Sequence, residues 1–469
     1  MSEFPLVKLS EVVRINPRNP DVVPAETDRV TFVPMAAVEA ETGRFSSSET
    51  RAWSAVKKGY TRFQENDVLV AKITPCMENG KACVARHLEG LVGAGSTEFH
   101  VLRPITAKVE PEWVLRFVNQ RCIRHEAKRH MSGAVGQQRV PASFYQDLQF
   151  PLPDLETQLE LLERLEDHDV KIDATERALF AIQAKLKQAR ASILKAAVEG
   201  RLVETEAELA QRQSSCFESG DQLLLRSLGE REVQHNGESS KEQRSRRYKT
   251  PSSPDPQSVD GLRLPPGWAL SSIEQISSGL RYSLCIGPFG SNLKVSDYCE
   301  EGVPLIFVRN IRAENFSIEQ ATFVTHVKAA ELAAHMARPG DILITKMGDP
   351  PGDSAIYPAG FPEAVITADV IKLHVASTYS LRFILYALRS PFLRRQILSQ
   401  TKGVAQKKVS LERFAKIPIP IPPFAEQERI ADEVERRFSV LDQVEATVNA
   451  SFRRCGQLRQ AVLKRAFAG

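Results

Sequence analysis

The sequence predicts an α+β fold: two pseudo-repeated α/β domains separated by two long helices that form an antiparallel coiled coil. Three observations carry that expectation. Residues 140–200 align on residues 409–469 at a constant offset and without a gap. Each aligned stretch is almost free of proline and glycine after its opening residues. Within each, apolar side chains recur every seventh position, the period that keeps one stripe of a helix turned toward a partner helix.

The first domain is expected over 1–153. Val68-Leu-Val-Ala-Lys-Ile73 reads as a buried strand, with Val84-Ala85 and Phe99-His-Val-Leu102 as further strands and a helix from Glu112 to Lys128. The stop Phe150-Pro-Leu-Pro-Asp154 then turns the chain, because proline fixes φ and favours extended backbone before it. A first long helix is expected over 154–203. Asp154 is placed to cap its first turn, and Gly200 to stop it. Residues 204–262, rich in Ser, Pro and charge, read as a flexible linker.

The second domain, 263–422, repeats the plan. Its strands are Pro304-Leu-Ile-Phe-Val-Arg309 and Asp341-Ile-Leu-Ile-Thr345, and its helix runs from Ser380 to Ser399 with an interruption at Pro391. Asn66-Asp67 to Lys72 matches Gly340-Asp341 to Lys346, and Leu115-Arg116-Phe117 recurs as Leu381-Arg382-Phe383. The second long helix, 423–469, follows Ile417-Pro-Ile-Pro-Ile-Pro-Pro423, with Gly469 as its stop. The helix-pairing residues are Leu165, Ile172, Leu179, Leu186 and Ile193 on the first helix. Val434, Leu441, Val448, Cys455 and Val462 are their counterparts on the second. About 45 residues at 1.5 Å each make a helix of roughly 65 Å, too long to pack on one small domain, so the two helices are expected to pair with each other.

Composition narrows the function. The 469 residues hold 62 basic and 58 acidic side chains, a formal charge of +4, so any nucleic-acid footprint must come from local clusters. No apolar run is long enough to span a membrane, and the N-terminus lacks the pattern of a secretory leader. Seven scattered cysteines without a Cys-x-x-Cys pair suit reduced thiols and a cytoplasmic protein.

Candidate catalytic motifs fail on chemistry. His125 and His130 are five residues apart, so on a helix their rings diverge and cannot share a metal. Gly93-Ala-Gly95 lacks the third glycine of a dinucleotide turn, and no phosphate-binding loop with a terminal Gly-Lys-Ser/Thr is present. Ile421-Pro-Pro-Phe424 lacks the Asn or Asp that an amino-methyltransferase needs to hold its target amine. Asp67…Lys72 and Asp341…Lys346 lack the second acid of a metal-dependent nuclease, since Val70 and Ile344 stand there.

What remains is a repeated set of polar and basic loops. Gly133-Ala-Val-Gly-Gln-Gln-Arg139 and Gly403-Val-Ala-Gln-Lys-Lys408 precede the two proline stops. Gln, Arg and Lys are the side chains that pair with base edges and phosphates. The candidate DNA-binding residues are Lys72, Thr74, Gln137, Gln138 and Arg139 in the first half. In the second they are Ser291, Asn292, Lys294, Arg309, Asn310, Lys346, Gln406, Lys407 and Lys408.

These residues together resemble the specificity (S) subunits of type I restriction–modification systems. The resemblance covers nearly the whole chain. It is carried by Pro418-Ile-Pro-Ile-Pro-Pro-Phe-Ala-Glu-Gln427-Glu-Arg-Ile430 and its cousin Pro151-Leu-Pro-Asp-Leu-Glu-Thr-Gln158. Gly340 to Lys346, the pairs Leu194-Lys195 and Leu463-Lys464, and Leu264-Pro-Pro-Gly-Trp268 add to it. It implies two target-recognition domains, each reading one half of a bipartite asymmetric DNA site, and helices that set the gap and dock two methyltransferase (M) subunits. Restriction/translocase (R) subunits would join them. No catalytic residue, metal or cofactor is implied in this chain; S-adenosylmethionine, ATP and Mg belong to the partner subunits. The first repeat departs from the family pattern, with Asp154-Leu155 and Thr157 before Gln158. The alternative from another class is a homodimeric coiled-coil DNA-binding transcriptional regulator.

Overall fold

The computed structural model describes residues 4–46, 49–105, 107–134, 136–237, 248–254, 263–312, 315–319, 321–401 and 407–468. Contacts divide the chain into two compact units, Met1–Ile182 with Thr447–Gly469, and Gln183–Ala446. The long helices, Leu155–Val198 and Phe424–Ala466, therefore give one part of their length to each unit.

The first unit contains a mixed sheet in the order Thr50–Ala52, Arg29–Val33, Val92–Gly95, Thr61–Gln64, with its central pair parallel. An antiparallel sheet has the order Val13–Ile15, Phe99–Pro104, Val68–Ala71, Ala82–Val84. The second unit repeats both. Thr322–Val324, Val303–Ile306, Ala364–Ile366 and Met336–Ala337 form the mixed sheet, again parallel at the centre and extended by Tyr298–Cys299. Leu284–Ile286, Val370–Leu373, Ile342–Thr345 and Ser354–Ile356 form the antiparallel one. In each unit the strand leading into a long helix pairs with one near the start of the domain: Gln149–Pro151 with Leu6–Lys8, and Pro418–Ile421 with Ala269–Ser272.

Val68–Ala71 and Ile342–Thr345 are buried along their whole length, which is why both read as unbroken apolar runs. The aspartate before each is also buried. Asp67 accepts from the Gln64 amide at 2.8 Å and from the Arg103 fork at 2.8 and 2.9 Å. Asp341 accepts from the Arg338 amide at 2.8 Å and lies 2.7 Å from His374 Nδ1. The shared Asp…Lys spacing thus anchors a strand entry in both units.

Each long helix is fastened to its domain by the same glutamine. Gln158 is fully buried; its Oε1 accepts from the Glu110 amide at 2.9 Å and its Nε2 donates to the Pro153 carbonyl at 2.8 Å. Gln427 does the same with the Ser380 amide at 2.9 Å and the Pro422 carbonyl at 2.8 Å. Asp154 accepts from the Thr157 amide at 2.8 Å, which holds its carboxyl below the ordinary range, and Gly200 takes φ +66 at the far end.

Within the first unit the helices run antiparallel. Ile172 and Leu179 pack with Val448 and Cys455, while Leu165 shares a core with Leu463 and Phe467. Arg459 donates to Asp173 at 2.9 Å and pairs with Glu176 at 3.4 Å. Within the second unit the repeat-related residues make the same set. Arg190 donates to Asp442 at 2.5 Å and Glu445 at 2.8 Å, and Leu194 packs with Ile430 and Val434. Such partly exposed ion pairs contribute about 0–1 kcal/mol each, so burial supplies the stability and the charges fix the register. Leu186 is buried, whereas Ile193, Leu441 and Val462 are only half-buried. Toward the C-terminal ends of the helices Leu194 and Leu463, one residue beyond the seven-residue series, are buried where Ile193 and Val462 are not. A straight helix drifts about 20° per heptad against a 3.5 repeat, which carries the seam onto the next residue. Because the helices are one another's partners within the chain, the homodimeric regulator is not favoured.

Three expectations need correction. The helix over Glu112 to Lys128 is two helices, Pro111–Val118 and Arg121–Arg129, with extended Gln120 between them. The pair matches Leu381–Arg389 and Pro391–Ser399, but only in the second repeat does a proline announce the break. The Gln158 and Gln427 contacts place Glu110 opposite Ser380, so Trp113 corresponds to Phe383. The match of Leu115-Arg116-Phe117 to Leu381-Arg382-Phe383 is therefore one helical turn out. Positions four apart share a face, so the slip left the apolar pattern unchanged.

The third concerns the flexible linker over 204–262. Glu206–Gln213 and Gly220–Gly237 are helices that belong to the second unit. Thr205 and Glu208 form a capping box, the Glu206 amide donates to Glu426 at 2.9 Å, and Leu223 is fully buried in the main core. A few apolar anchors order this polar stretch. Residues 238–247 and 255–262, and the expected stop at Gly469, lie outside the described residues.

Ile172→Ala is expected to cost about 2–4 kcal/mol, the usual range for emptying a buried aliphatic site. His168→Ala, at an exposed position of the same helix, is expected to change stability by less than about 0.5 kcal/mol. Urea unfolding of the two variants checks both.

Candidate nucleic-acid interface

Each unit carries a lysine at the exit of its central buried strand, held by the same backbone bonds. The Lys72 amide donates to the Glu98 carbonyl at 2.9 Å, and its carbonyl accepts from Val140 at 2.9 Å. The Lys346 amide donates to the Asp369 carbonyl at 2.8 Å, and its carbonyl accepts from Val409 at 3.2 Å. The last residue of the basic stretch before each proline stop lies beside the strand exit through the bridges Ile73–Arg139 and Met347–Lys408, while 403–406 of the second stretch lie outside the described residues. The repeat thus brings one lysine and one polar loop together twice.

In the first unit Ser132 and Arg139 exchange backbone hydrogen bonds, and the Thr74 amide donates to the Gln138 carbonyl at 3.0 Å. Gln137 is exposed and Gln138 half-buried. Thr74 Oγ1 donates to Glu78 at 2.8 Å. Arg139 grips Glu98 with both branches of its guanidinium, at 2.9 and 2.8 Å, and holds that carboxyl below its ordinary value. With Nη1 donating to the Gln137 carbonyl as well, Arg139 holds the loop in this structure rather than standing free. Lys72 instead faces an open cleft with Arg18, Tyr60 and Arg62.

In the second unit Ser291, Asn292 and Lys294 are exposed on the turn after Leu284–Ile286. Lys346 Nζ lies 4.9 Å from the Phe289 ring centroid and 3.3 Å from the Ala368 carbonyl. Burial holds its ammonium below the ordinary lysine value, with Asp369 opposing and Lys408 adding repulsion. Lys407 and Lys408 are exposed, Lys407 within 3.8 Å of Asp349; Gln406 lies outside the described residues. Arg309 is exposed, stacked 4.1 Å over Phe307, and donates to Thr322 at 3.2 Å. Asn310 is corrected. It is buried, its Oδ1 accepts from the Phe307 amide and its Nδ2 donates to the Ser317 carbonyl, both at 2.8 Å. A side chain whose amide is used up inside a loop cannot read a base.

The discarded motifs also have structural explanations. Gly93 and Gly95 lie inside the strand Val92–Gly95, against the Phe63 ring. Ile421 ends a buried strand and Phe424 opens the second long helix. Among the described residues no group of three or more metal-ligating side chains is gathered, and no helix is long and apolar enough to cross a membrane.

The model of the type I restriction modification DNA specificity domain matches residues 1–184 and 334–450, well over half of the chain. The chain belongs to this family. It is 25% identical over 493 residues to the type I restriction enzyme EcoEI specificity subunit of Escherichia coli, covering 95% of this chain and 79% of that one. It is 24% identical over 479 residues to the EcoAI specificity subunit of the same organism, covering 91% and 76%. A chain solved in work on complex assembly and conformational transition of the type I R-M system superposes with a TM-score of 0.62 at 17% identity, over 100% of both chains. That likeness gives the fold.

The departures of this family member in its first repeat have a local reason. Glu426, at the position of Thr157, is fully buried and accepts from Trp268 Nε1 and the Glu206 amide, both at 2.9 Å. In the first unit the place of Trp268, just before the strand that pairs with the one leading into the long helix, is held by Phe4, whose ring has no N–H to donate, so an acid in place of Thr157 has no such partner to accept from. Arg18, Tyr60 and Arg62 were missed because residues 16–62 have no aligned counterpart to single them out. Phe289 was passed over as part of a polar loop.

Asn310→Ala is expected to lower stability by about 1–3 kcal/mol, the cost of leaving buried amide partners unmet, seen as a lower melting temperature. Lys408→Ala is expected to leave melting unchanged and to reduce the slope of log affinity for DNA against log salt by about one. The low-lying Glu98 carboxyl makes its pairing with Arg139 fully present at neutral pH and lost as pH falls below the ordinary value of 4.5 and through its folded value. Hydrogen exchange in the 132–140 loop is expected to rise over that acidic range, and Arg139→Ala to remove the dependence.

Proposed function

We propose that this chain is the non-catalytic, sequence-specific DNA-binding specificity subunit of a type I restriction–modification complex. Each unit reads one half of a bipartite, asymmetric duplex site. Phosphate contacts by Lys and Arg bring the protein to DNA, and loop side chains at the strand exits then read base edges in the major groove. The observation that carries the reading is the repeated lysine and loop, held by equivalent backbone bonds on two copies of one sheet topology.

The paired helices set the distance between half-sites and dock two methyltransferase (M) subunits, to which restriction/translocase (R) subunits are added. Exposed apolar side chains on the helices support a docking role: Leu159, Val170, Phe180 and Leu458 in the first unit, Val440 and Val444 in the second. S-adenosylmethionine, ATP and Mg are held by those partners. Scattered cysteines without a Cys-x-x-Cys pair and a DNA-directed role support a cytoplasmic protein.

The test is co-expression with the methyltransferase encoded beside it, followed by methylome sequencing of the host DNA. Adenine methylation at one split motif, appearing only when this chain is present, is the expected result. A purified complex with no preference for any duplex at physiological salt would sink the reading.

A further inference from the structure

In the second unit the chain leaving the edge strand Leu284–Ile286 presents an aromatic ring to solvent. Phe289 is 61% exposed. The backbone before it is held tightly: a Cβ on Gly287 would stand 2.2 Å from the Thr367 carbonyl carbon, and Pro288 is buried. The residues leading to the ring are therefore pinned to the sheet while the ring itself stays outside the core. Lys346, at the exit of the central strand, brings its ammonium 4.9 Å from the ring centroid, within the range of a cation–π contact. Exposed Lys407 and Lys408 come from the loop bridged to Met347, and exposed Ser291, Asn292 and Lys294 follow the ring directly. An apolar ring surrounded by cations and small polar groups suits a ligand that is anionic on its outside and flat and apolar within.

In the first unit the place beside the equivalent lysine is furnished differently. The chain leaving the edge strand Val13–Ile15 carries exposed Arg18, which lines the cleft of Lys72 together with Tyr60 and Arg62. Cations dominate there, and the Tyr60 ring comes from the bend just before the strand Thr61–Gln64 rather than from the chain that follows the edge strand.

We propose that Phe289 makes an apolar contact with a base of the half-site read by the second unit, while Lys346 turns from the ring to a neighbouring phosphate. The first unit meets its half-site with Arg18 and Lys72 at the corresponding place, so the two halves of the site are recognised by different chemistry. This rests on the reading of the chain as a DNA-specificity subunit. Aromatic and apolar side chains do act on DNA in this way, by touching a thymine methyl or by entering a loosened base step.

The experiment uses the full-length chain in its co-expressed complex. A duplex is first selected from a random-sequence pool by the wild type, and affinities for it are measured over a series of salt concentrations. Phe289→Ala is expected to bind about ten- to hundredfold more weakly, the range for apolar and stacking contacts with a base. Its salt slope is expected to stay unchanged, because a ring releases no counterions. Phe289→Trp is expected to keep most of the affinity, and Arg18→Ala to lower the slope by about one. Replacing each thymine of the second half-site by uracil separates a methyl contact, which reproduces the loss at one position, from entry into a step, which does not. A Phe289→Ala complex that binds the selected duplex within twofold of wild type, or one that loses affinity together with salt slope, overturns the proposal alone. If the wild type enriches no sequence, the DNA-specificity reading falls and this assignment falls with it.

Discussion

A helix of more than forty residues that carries one narrow apolar stripe has to cover that stripe, and the rest of this structure follows from how it does so. Ile172 and Leu179 meet Val448 and Cys455 in the first unit, and Leu194 meets Ile430 and Val434 in the second. The second position of an ordinary coiled-coil seam is poor here, since His168 and Thr175 are exposed. Arginines supply what that stripe lacks in selectivity: Arg459 finds Asp173 and Glu176, and Arg190 finds Asp442 and Glu445. These are the same residues of the repeat used reciprocally, as an antiparallel pairing of two copies of one helix requires.

The domains inherit their placement on the helices from Gln158 and Gln427. Each spends both ends of a buried amide on backbone groups, one at the start of its own helix and one at the start of the domain helix beside it. An unpaired buried amide is costly, so this joint admits little variation. The lysines at the strand exits are held comparably, through main-chain bonds that do not depend on the identity of the neighbouring loop. That arrangement leaves the exposed loops free to differ while the scaffold beneath them stays the same. Arg18 with Tyr60 in one unit and Phe289 in the other are two outcomes of that freedom.

Much of the fold was legible because the signals were long or doubled. The seven-residue series, the proline stops and the paired strand entries at Asp67 and Asp341 each extend over many residues or occur twice. Short-range features were less so. The break at Gln120 carries no proline, and a one-turn slip in matching the domain helices leaves their apolar faces intact. The segment after Thr205 is rich in Glu, Gln, Arg and Ser, yet a capping box and buried Leu223, in the short run Leu223-Leu-Leu225, are enough to order it against the second unit. At the candidate interface, Lys72 and Lys346 stood out through repetition. Nothing in composition distinguishes an asparagine that reads a base from Asn310, whose amide closes a loop, or a free arginine from Arg139, which grips Glu98.

The sequence by itself determined the architecture: a duplicated α+β domain and two long helices, each with one apolar stripe that needs a partner. Periodicity and backbone chemistry are local properties, and a run of residues carries them without reference to distant partners. Tertiary structure alone decided which polar side chains are available to a ligand. Availability depends on what lies opposite each group, and Glu98 and the Phe289 ring come to Arg139 and Lys346 from distant parts of the sequence.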